Sequence, residues 1–217
     1  MTEPVIIWTL DWVPGGPRGF VRDLRLRWAC EESGIPYRIE TVGFDDRHTN
    51  HLDTQPFGQV PMLEDGDLRL FESGACLMHL ARKSDRLIPQ EPSGEIEVLQ
   101  WIMAALNSIE MVSMPWIVLR WSKQELPGIT DWLDKRLDQM EAVLAEREWL
   151  VGDRFTAADL MMADVLRVDL IRKHGNRPAS EAYVARMTDR PAFRKAHADQ
   201  MAHFAAADAK REEVSHG

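Results

Sequence analysis

Gln59-Val60-Pro61-Met62-Leu63-Glu64-Asp65-Gly66-Asp67-Leu68-Arg69-Leu70-Phe71-Glu72-Ser73 carries a strand, a tight turn, a second strand and the start of a helix. Gln59 to Leu63 and Leu68 to Phe71 are strand-like, and the Asp-Gly pair between them is a strong hairpin signal, so the two strands are antiparallel. Ser73 is an acceptable N-cap for a helix that runs to about Lys83. Pro61 cannot donate to a sheet ladder and needs an edge position or a special geometry. If Val60-Pro61 is cis, the Val60 N–H and C=O point outward and can pair with an extended, peptide-like ligand. The helix start at Glu72-Ser73 offers unpaired N–H groups and partial positive charge to a ligand carboxylate, while the Glu72 carboxylate suits an ammonium. Together they suit the amino-acid end of a short peptide. The competing reading is that Ser73 only caps its own helix and Glu72 only favours the helix dipole.

Working outward, Val5-Ile6-Ile7-Trp8 reads as a buried strand, Val13-Pro14-Gly15-Gly16-Pro17 as a loop, and Tyr37 to Val42 as a second strand. Between them Val21, Leu24, Trp28 and Ala29 share one helical face, and Ser33-Gly34-Ile35-Pro36 stops the helix. The first two strands therefore form a parallel βαβ unit. The order βαβ then ββα is that of a thioredoxin-like fold. After it, Leu87 to Gly94 holds two prolines and a glycine without apolar periodicity, and Glu95 to about Phe204 reads as successive helices. The expected organisation is α/β followed by all-α: a first domain over 1–86, a linker over 87–94 and an all-helical domain over 95–217. No internal repeat is evident. The first long helix, about Glu95 to Arg120, places Leu99, Ile102, Leu106 and Ile109 on one side, and Pro115 should kink or end it. Lys210 to Gly217 is charged, without a core pattern, and is expected to fray or drape over the site.

The chain has 217 residues, 45% hydrophobic and 28% charged, which fits a globular protein and argues against disorder. A net charge of −9 makes the surface a poor partner for nucleic acid, and Arg18, Arg22, Arg25 and Arg27 form the only dense basic cluster. No apolar run approaches the roughly 20 residues that span a bilayer, and the amino terminus lacks the basic start of a secretory signal. We expect a cytoplasmic protein without membrane or nucleic-acid partners. Cys30 and Cys76 show neither C-x-x-C nor zinc-finger spacing, and His48 and His51 read as an exposed loop pair, so no metal is expected.

Three blocks carry a resemblance. Gln55-Pro56-Phe57-Gly58-Gln59-Val60-Pro61-Met62-Leu63, then Leu70-Phe71-Glu72-Ser73-Gly74-Ala75, resembles the glutathione-binding half of cytosolic glutathione transferases. Leu26 to Tyr37 resembles their first helix and second strand. An independent match lies in Trp149-Leu150-Val151-Gly152-Asp153-Arg154-Phe155-Thr156-Ala157-Ala158-Asp159, where Thr156 caps a helix, Asp159 returns the bond from N3 and Phe155 can staple onto Leu160. Asp159 is accordingly read as structural.

The resemblance implies glutathione as co-substrate, a small apolar electrophile as second substrate, no metal, and a homodimer. It implies that Gln59, Val60 and Pro61 hold the glutathione backbone and that Glu72 and Ser73 hold its γ-glutamyl end. Trp12, Asn107, Met111 and Trp116 are candidates for the electrophile pocket, against the reading that Met and Trp at helical spacing are core. Most family members offer a Tyr, Ser or Cys near the start of the first helix to ionise the glutathione thiol. The matching stretch here, Gly19-Phe20-Val21-Arg22-Asp23, has none. Thr9 lies too early and Cys30 too deep. The helix N-terminus with Arg22 or Arg18 is left to play that part, while a solvated helix face remains the alternative for each arginine. The expected activity is conjugation of the glutathione thiolate to the electrophile. Deglutathionylation, dehalogenation, isomerisation, or a non-enzymatic binding module of the same fold are the alternatives.

Overall fold

The computed structural model describes residues 3–47, 49 and 51–215, with side chains described through residue 211. The elements are β1 (Val5–Leu10), α1 (Asp23–Ser33), β2 (Tyr37–Val42), β3 (Met62–Asp65), β4 (Leu68–Phe71) and α2 (Ser73–Arg82). They are followed by α3 (Gly94–Ala104), a π-helical turn (Ala105–Glu110), α4 (Met111–Trp121), α5 (Pro127–Glu146), α6 (Ala157–Leu166), α7 (Asp169–Arg172), α8 (Pro178–Thr188) and α9 (Pro191–Ser215). Residues up to Ser84 join those from Pro191 onward in one compact unit, and Asp85–Arg190 forms the other.

In the first unit the sheet order is β2-β1-β3-β4. β1 runs parallel to β2 and antiparallel to β3, and β3 forms a hairpin with β4. The parallel βαβ unit and the Asp-Gly hairpin thus follow the sequence pattern, with Gly66 at φ 61° taking the left-handed position that the turn demands. Ile7, Leu63, Leu24, Trp28, Leu77 and Leu80 are fully buried and form the core. α1 packs against both α2 and α9. That double cover leaves Arg25 and Arg27 only 2% and 3% exposed. Each is paired, as burial of a charge requires.

α9 sends Phe193, Ala196, Gln200 and Phe204 into this unit, a three-to-four-residue spacing that makes one helical face. The sequence reading grouped everything after residue 94 into one helical domain; the last helix instead packs on the first unit. Periodicity reveals that a helix has a buried face but not which partner covers it. The tail expected to fray continues α9 through Ser215, while His216 and Gly217 lie outside the described residues.

In the second unit α6 is buried on all sides. Its capping box forms as expected: the Asp159 carboxylate accepts bonds from the Thr156 N–H (2.9 Å) and hydroxyl (3.0 Å) and from the Leu150 N–H (3.0 Å). The Tyr183 hydroxyl donates a further one at 3.0 Å. The proline-rich stretch expected as a linker is packed here, since Leu87, Ile88 and Pro89 are buried and the Ala157 N–H bonds the Leu87 carbonyl at 2.9 Å.

Pro115 does not end the long helix, which runs from Gly94 to Trp121. Its buried residues include Val98, Ile102, Ala105, Ile109, Val112 and Trp116, whereas Leu99 and Leu106 are only half-buried beside that face. The π-helical turn absorbs one extra residue, and Ile96, Met103, Met111 and Val118 line up seven, eight and seven residues apart as an exposed stripe. By length and composition this helix is also apolar enough to cross a membrane, with mean hydropathy 1.5. The core helix of a globular protein meets the same measure, and no uninterrupted apolar run here approaches roughly 20 residues.

Candidate active site

The strand register brings the sequence motifs together. Met62 pairs with Trp8 of β1 on one side and with Phe71 of β4 on the other. One step beyond these pairs, the end of β1, the Val60-Pro61 bond and Glu72 therefore lie at the same end of the sheet. Val60-Pro61 is cis, and Val60 stands before the first laddered residue, so its N–H and C=O remain outside the ladder. Gln59 is exposed beside it. Gly58, at φ 63°, permits the approach: a Cβ there would lie 2.7 Å from the Arg47 carbonyl oxygen.

Glu72 has φ 67° and ψ 116°, a conformation a non-glycine residue adopts only under constraint. It, rather than Ser73, is the N-cap of α2, and no side chain caps the helix. The uncapped first turn leaves backbone N–H groups directed outward, the arrangement that binds anions. Ser73 does not cap its own helix; its hydroxyl accepts a 2.9 Å bond from the buried Arg25 guanidinium. That bond turns the hydroxyl proton away from Arg25, leaving it as a donor beside a buried cation. The exposed Glu72 carboxylate is adjacent. An anion at the helix start and an ammonium at Glu72 describe an α-amino acid terminus.

A groove of about 570 Å³ lined by Cys30, Glu31, Tyr37, Lys195 and Asp199 lies at the opposite end of the first unit, beside the start of β2, away from these motifs.

A family model described as the glutathione S-transferase N-terminal domain matches residues 16–82, and one described as the C-terminal domain matches 118–191. A glutathione S-transferase of Hyoscyamus muticus is 30% identical over 201 residues, covering 83% of this chain and 95% of that protein. Glutathione S-transferase 1 of Zea mays is 34% identical over 150 residues, 63% of this chain and 70% of that protein. The chain belongs to the glutathione S-transferase family. Among solved structures, a family member from Pseudomonas fluorescens with two glutathione bound is 25% identical with a TM-score of 0.76, covering 90% of this chain and 92% of that one.

In this transferase-family chain the loop from Asp11 to Arg22 takes the place where a thiol-activating hydroxyl is expected. Phe20, in that stretch, is partly exposed. The helix begins later than the sequence suggested: the Phe20 N–H bonds Pro17 O, the Leu24 N–H bonds Val21 O, and Arg22 is the N-cap of α1. The start of α1 is thus at Arg22-Asp23 and not at Gly19 to Val21. Thr9 is fully buried and faces Asp23. Asp23 is itself fully buried, paired with Arg27 at 2.7 Å, and burial pushes its carboxyl upward against the pull of that guanidinium. Cys30 and Cys76 are buried, and burial raises both thiols to about 12, which removes them as nucleophiles.

Arg18 is committed elsewhere. Its guanidinium pairs with Asp208 of α9, in part through a 2.7 Å bond, and also donates to the Val13 carbonyl. Trp12 donates to the same Asp208 at 2.8 Å, meets Phe44 edge-on at 5.3 Å, and is covered by Arg211 at 4.4 Å. The bonds from Arg18 and then Trp12 hold the Asp208 carboxyl down at about 2, from an ordinary 3.8. A carboxyl depressed on folding stabilises above its unfolded value and loses that contribution as pH falls through the folded one. The melting-temperature gap between the wild type and Asp208→Asn is therefore expected to stay constant from pH 7 to about 4 and to close as pH falls toward 2. A gap unchanged down to pH 2 would show that these bonds do not stabilise the fold.

In the second unit Asn107 and Met111 are exposed on the long helix. Trp116 is 4% exposed and donates to the Thr130 hydroxyl at 3.1 Å, so it belongs to the helical core. Of the histidine pair, His51 is buried rather than exposed, and His48 lies outside the described residues. Among the described residues no group of three His, Cys, Asp or Glu is placed to hold a metal ion. The sequence did not single out Arg25 beyond its place in a basic cluster, and it did not suggest Asp208 at all; both act across long sequence separations.

Proposed function

We propose that this chain is a glutathione transferase whose first unit binds glutathione at the cis-Pro61 end of the sheet and joins its thiolate to a small apolar electrophile. The observation that carries the reading is the uncapped start of α2, with Glu72 at positive φ and Ser73 held by buried Arg25, beside the outward Val60 backbone. The γ-glutamyl carboxylate takes the α2 N–H groups and the Ser73 hydroxyl, and its ammonium takes Glu72. Gln59 and the Val60 N–H and C=O hold the cysteinyl backbone in the manner of an added strand.

A free thiol near 8.5 is mostly protonated at neutral pH, and lowering that value by about two units needs about 2.7 kcal/mol. A helix N-terminus and one cation supply stabilisation of this order. The cation assigned is Arg22, which stands at the N-cap of α1. The thiol proton passes to water. The thiolate sulfur then forms a bond to carbon while a leaving group departs with its electron pair, or it adds to a conjugated double bond that takes up a proton at the neighbouring carbon. Replacing Arg22 with Ala should lower kcat/KM at pH 6.5 by about tenfold, with glutathione affinity retained and the loss shrinking at pH 9 where the thiol ionises unaided. Unchanged rate and affinity in Arg22→Ala would remove the assignment.

With both cysteines buried and protonated, reduction of glutathionyl disulfides by a protein thiol is not favoured. The exposed stripe of Ile96, Met103, Met111 and Val118, together with Phe57 at 68% exposure, supports a homodimer. The acidic charge and the free cysteines support a cytoplasmic location.

A further inference from the structure

We propose that Gln200, in the middle of the C-terminal helix, is a positioning residue for thiol activation, because its side chain fixes the first turn of α1. The inference rests on the glutathione reading above. The Gln200 amide nitrogen donates to the Val21 carbonyl at 2.9 Å and to the Asp23 carboxylate at 2.6 Å. These acceptors flank Arg22. The stretch from Asp11 to Arg22 forms only turns and bends, so its path is not set by a sheet ladder or a helix of its own.

α9 supplies the missing constraint along one side. A Cβ on Gly19 would come within 2.7 Å of His197 Nε2, His203 Nε2 lies 3.0 Å from the Leu10 carbonyl, and Asp208 holds Trp12 and Arg18. Gln200 sits between these contacts and touches the segment where the helix begins. Its burial is complete, yet its Oε1 has no hydrogen-bond partner. An orphaned buried acceptor is costly, and a methionine or leucine would fill the same space without that cost. Packing alone therefore does not account for an amide here; its two donated bonds do.

Asp23 carries the effect onward. It pairs with Arg27 one turn along α1, which ties the first turn of the helix to the next. Releasing the first turn lets the leading N–H groups of α1 adopt other positions. Electrostatic stabilisation of a thiolate depends on such groups being held in place beforehand. Gln200 touches no glutathione-binding residue, so its loss acts on thiol ionisation rather than on affinity.

The test compares wild type, Gln200→Met and Phe204→Ala, the last removing a fully buried side chain from the same helix without touching a donated bond. Glutathione thiolate absorbance and kcat/KM are followed from pH 5.5 to 9.5, with melting temperature measured alongside. The expected result is an upward displacement of the pH midpoint by about one unit in Gln200→Met, a roughly tenfold lower rate at pH 6.5 and a KM for glutathione within about twofold of wild type. Phe204→Ala should lower the melting temperature without moving the midpoint. If Gln200→Met does not fold, Gln200→Asn, one methylene shorter, carries the same comparison. The proposal is overturned if the Gln200 variant keeps the wild-type midpoint, or if Phe204→Ala moves it equally. A wild type that binds glutathione normally but shows no thiolate overturns the activation step, whereas a wild type that does not bind glutathione overturns the functional reading itself.

Discussion

Asp159→Ala is expected to cost about 3 kcal/mol or more, the largest loss of stability from any single change considered for this chain. The Asp159 carboxylate accepts from the Leu150 N–H, the Thr156 N–H, the Thr156 hydroxyl and the Tyr183 hydroxyl, all buried. Truncation strands the Leu150 and Thr156 N–H groups and the Thr156 hydroxyl where water cannot reach them, while the Tyr183 hydroxyl keeps the Asp159 carbonyl at 3.3 Å, and each unmade bond of this kind costs about 1 kcal/mol or more. The same change removes the N3 half of the box that starts α6, the most buried helix of the second unit. Asparagine does not rescue it, since its amide offers one acceptor atom and turns an NH2 toward a donor. Calorimetry should show a melting temperature lower by about 6 °C or more. Tyr183→Phe, which gives up the bonds to the Asp159 carboxylate and, at 3.3 Å, to its carbonyl, should lose about 1 kcal/mol. Activity per folded molecule should be preserved in both. A melting temperature for Asp159→Ala within a degree of wild type would show that the network does not hold the unit together.

The second large effect falls on binding. Ser73→Ala is expected to raise the KM for glutathione by about tenfold to a hundredfold, since a hydrogen bond to a charged group contributes about 1.5–3 kcal/mol. The variant removes the hydroxyl that Arg25 orients and leaves that buried guanidinium without its 2.9 Å acceptor. The backbone N–H groups of α2 remain, so binding weakens without vanishing. Glu72→Gln should act in the same direction by releasing the glutathione ammonium, with kcat at saturation changed less than KM in both variants. Steady-state rates over a glutathione series decide the matter. An unchanged KM in Ser73→Ala would place the γ-glutamyl end elsewhere.

Several parts of this molecule were legible because their signals are local. The Asp-Gly turn, the strand Tyr37–Val42, the helix starting at Ser73 and the Thr156 box each depend on residues within a few positions of one another. Pro61 was informative for a related reason, since a proline in a strand pattern must resolve into an edge or a cis bond, and here it is cis. The site residues Gln59, Val60, Pro61, Glu72 and Ser73 could be named from sequence, but their convergence rests on the register that pairs Met62 with both Trp8 and Phe71.

What stayed hidden is long-range. Arg25 finds Ser73 across 48 positions, and Gln200 finds Asp23 across 177. No spacing rule links such pairs. The sequence places α9 in the helical domain rather than the first unit on the same ground: its apolar face is visible, its partner is not. The long helix misled for a different reason. A straight 3.6-residue repeat picks Leu106, whereas the π-helical turn at Ala105–Glu110 shifts the phase and buries Ala105 and Val112 instead.

The central claim is that this fold ionises glutathione without a tyrosine, serine or cysteine at the start of α1. Titrating the purified protein with glutathione near pH 7, while following the ultraviolet difference band of the thiolate against an S-blocked glutathione control, tests it most directly. A saturable thiolate band with glutathione and none with the blocked analogue is the predicted result. Saturable binding of both, measured calorimetrically, with no thiolate band would contradict it.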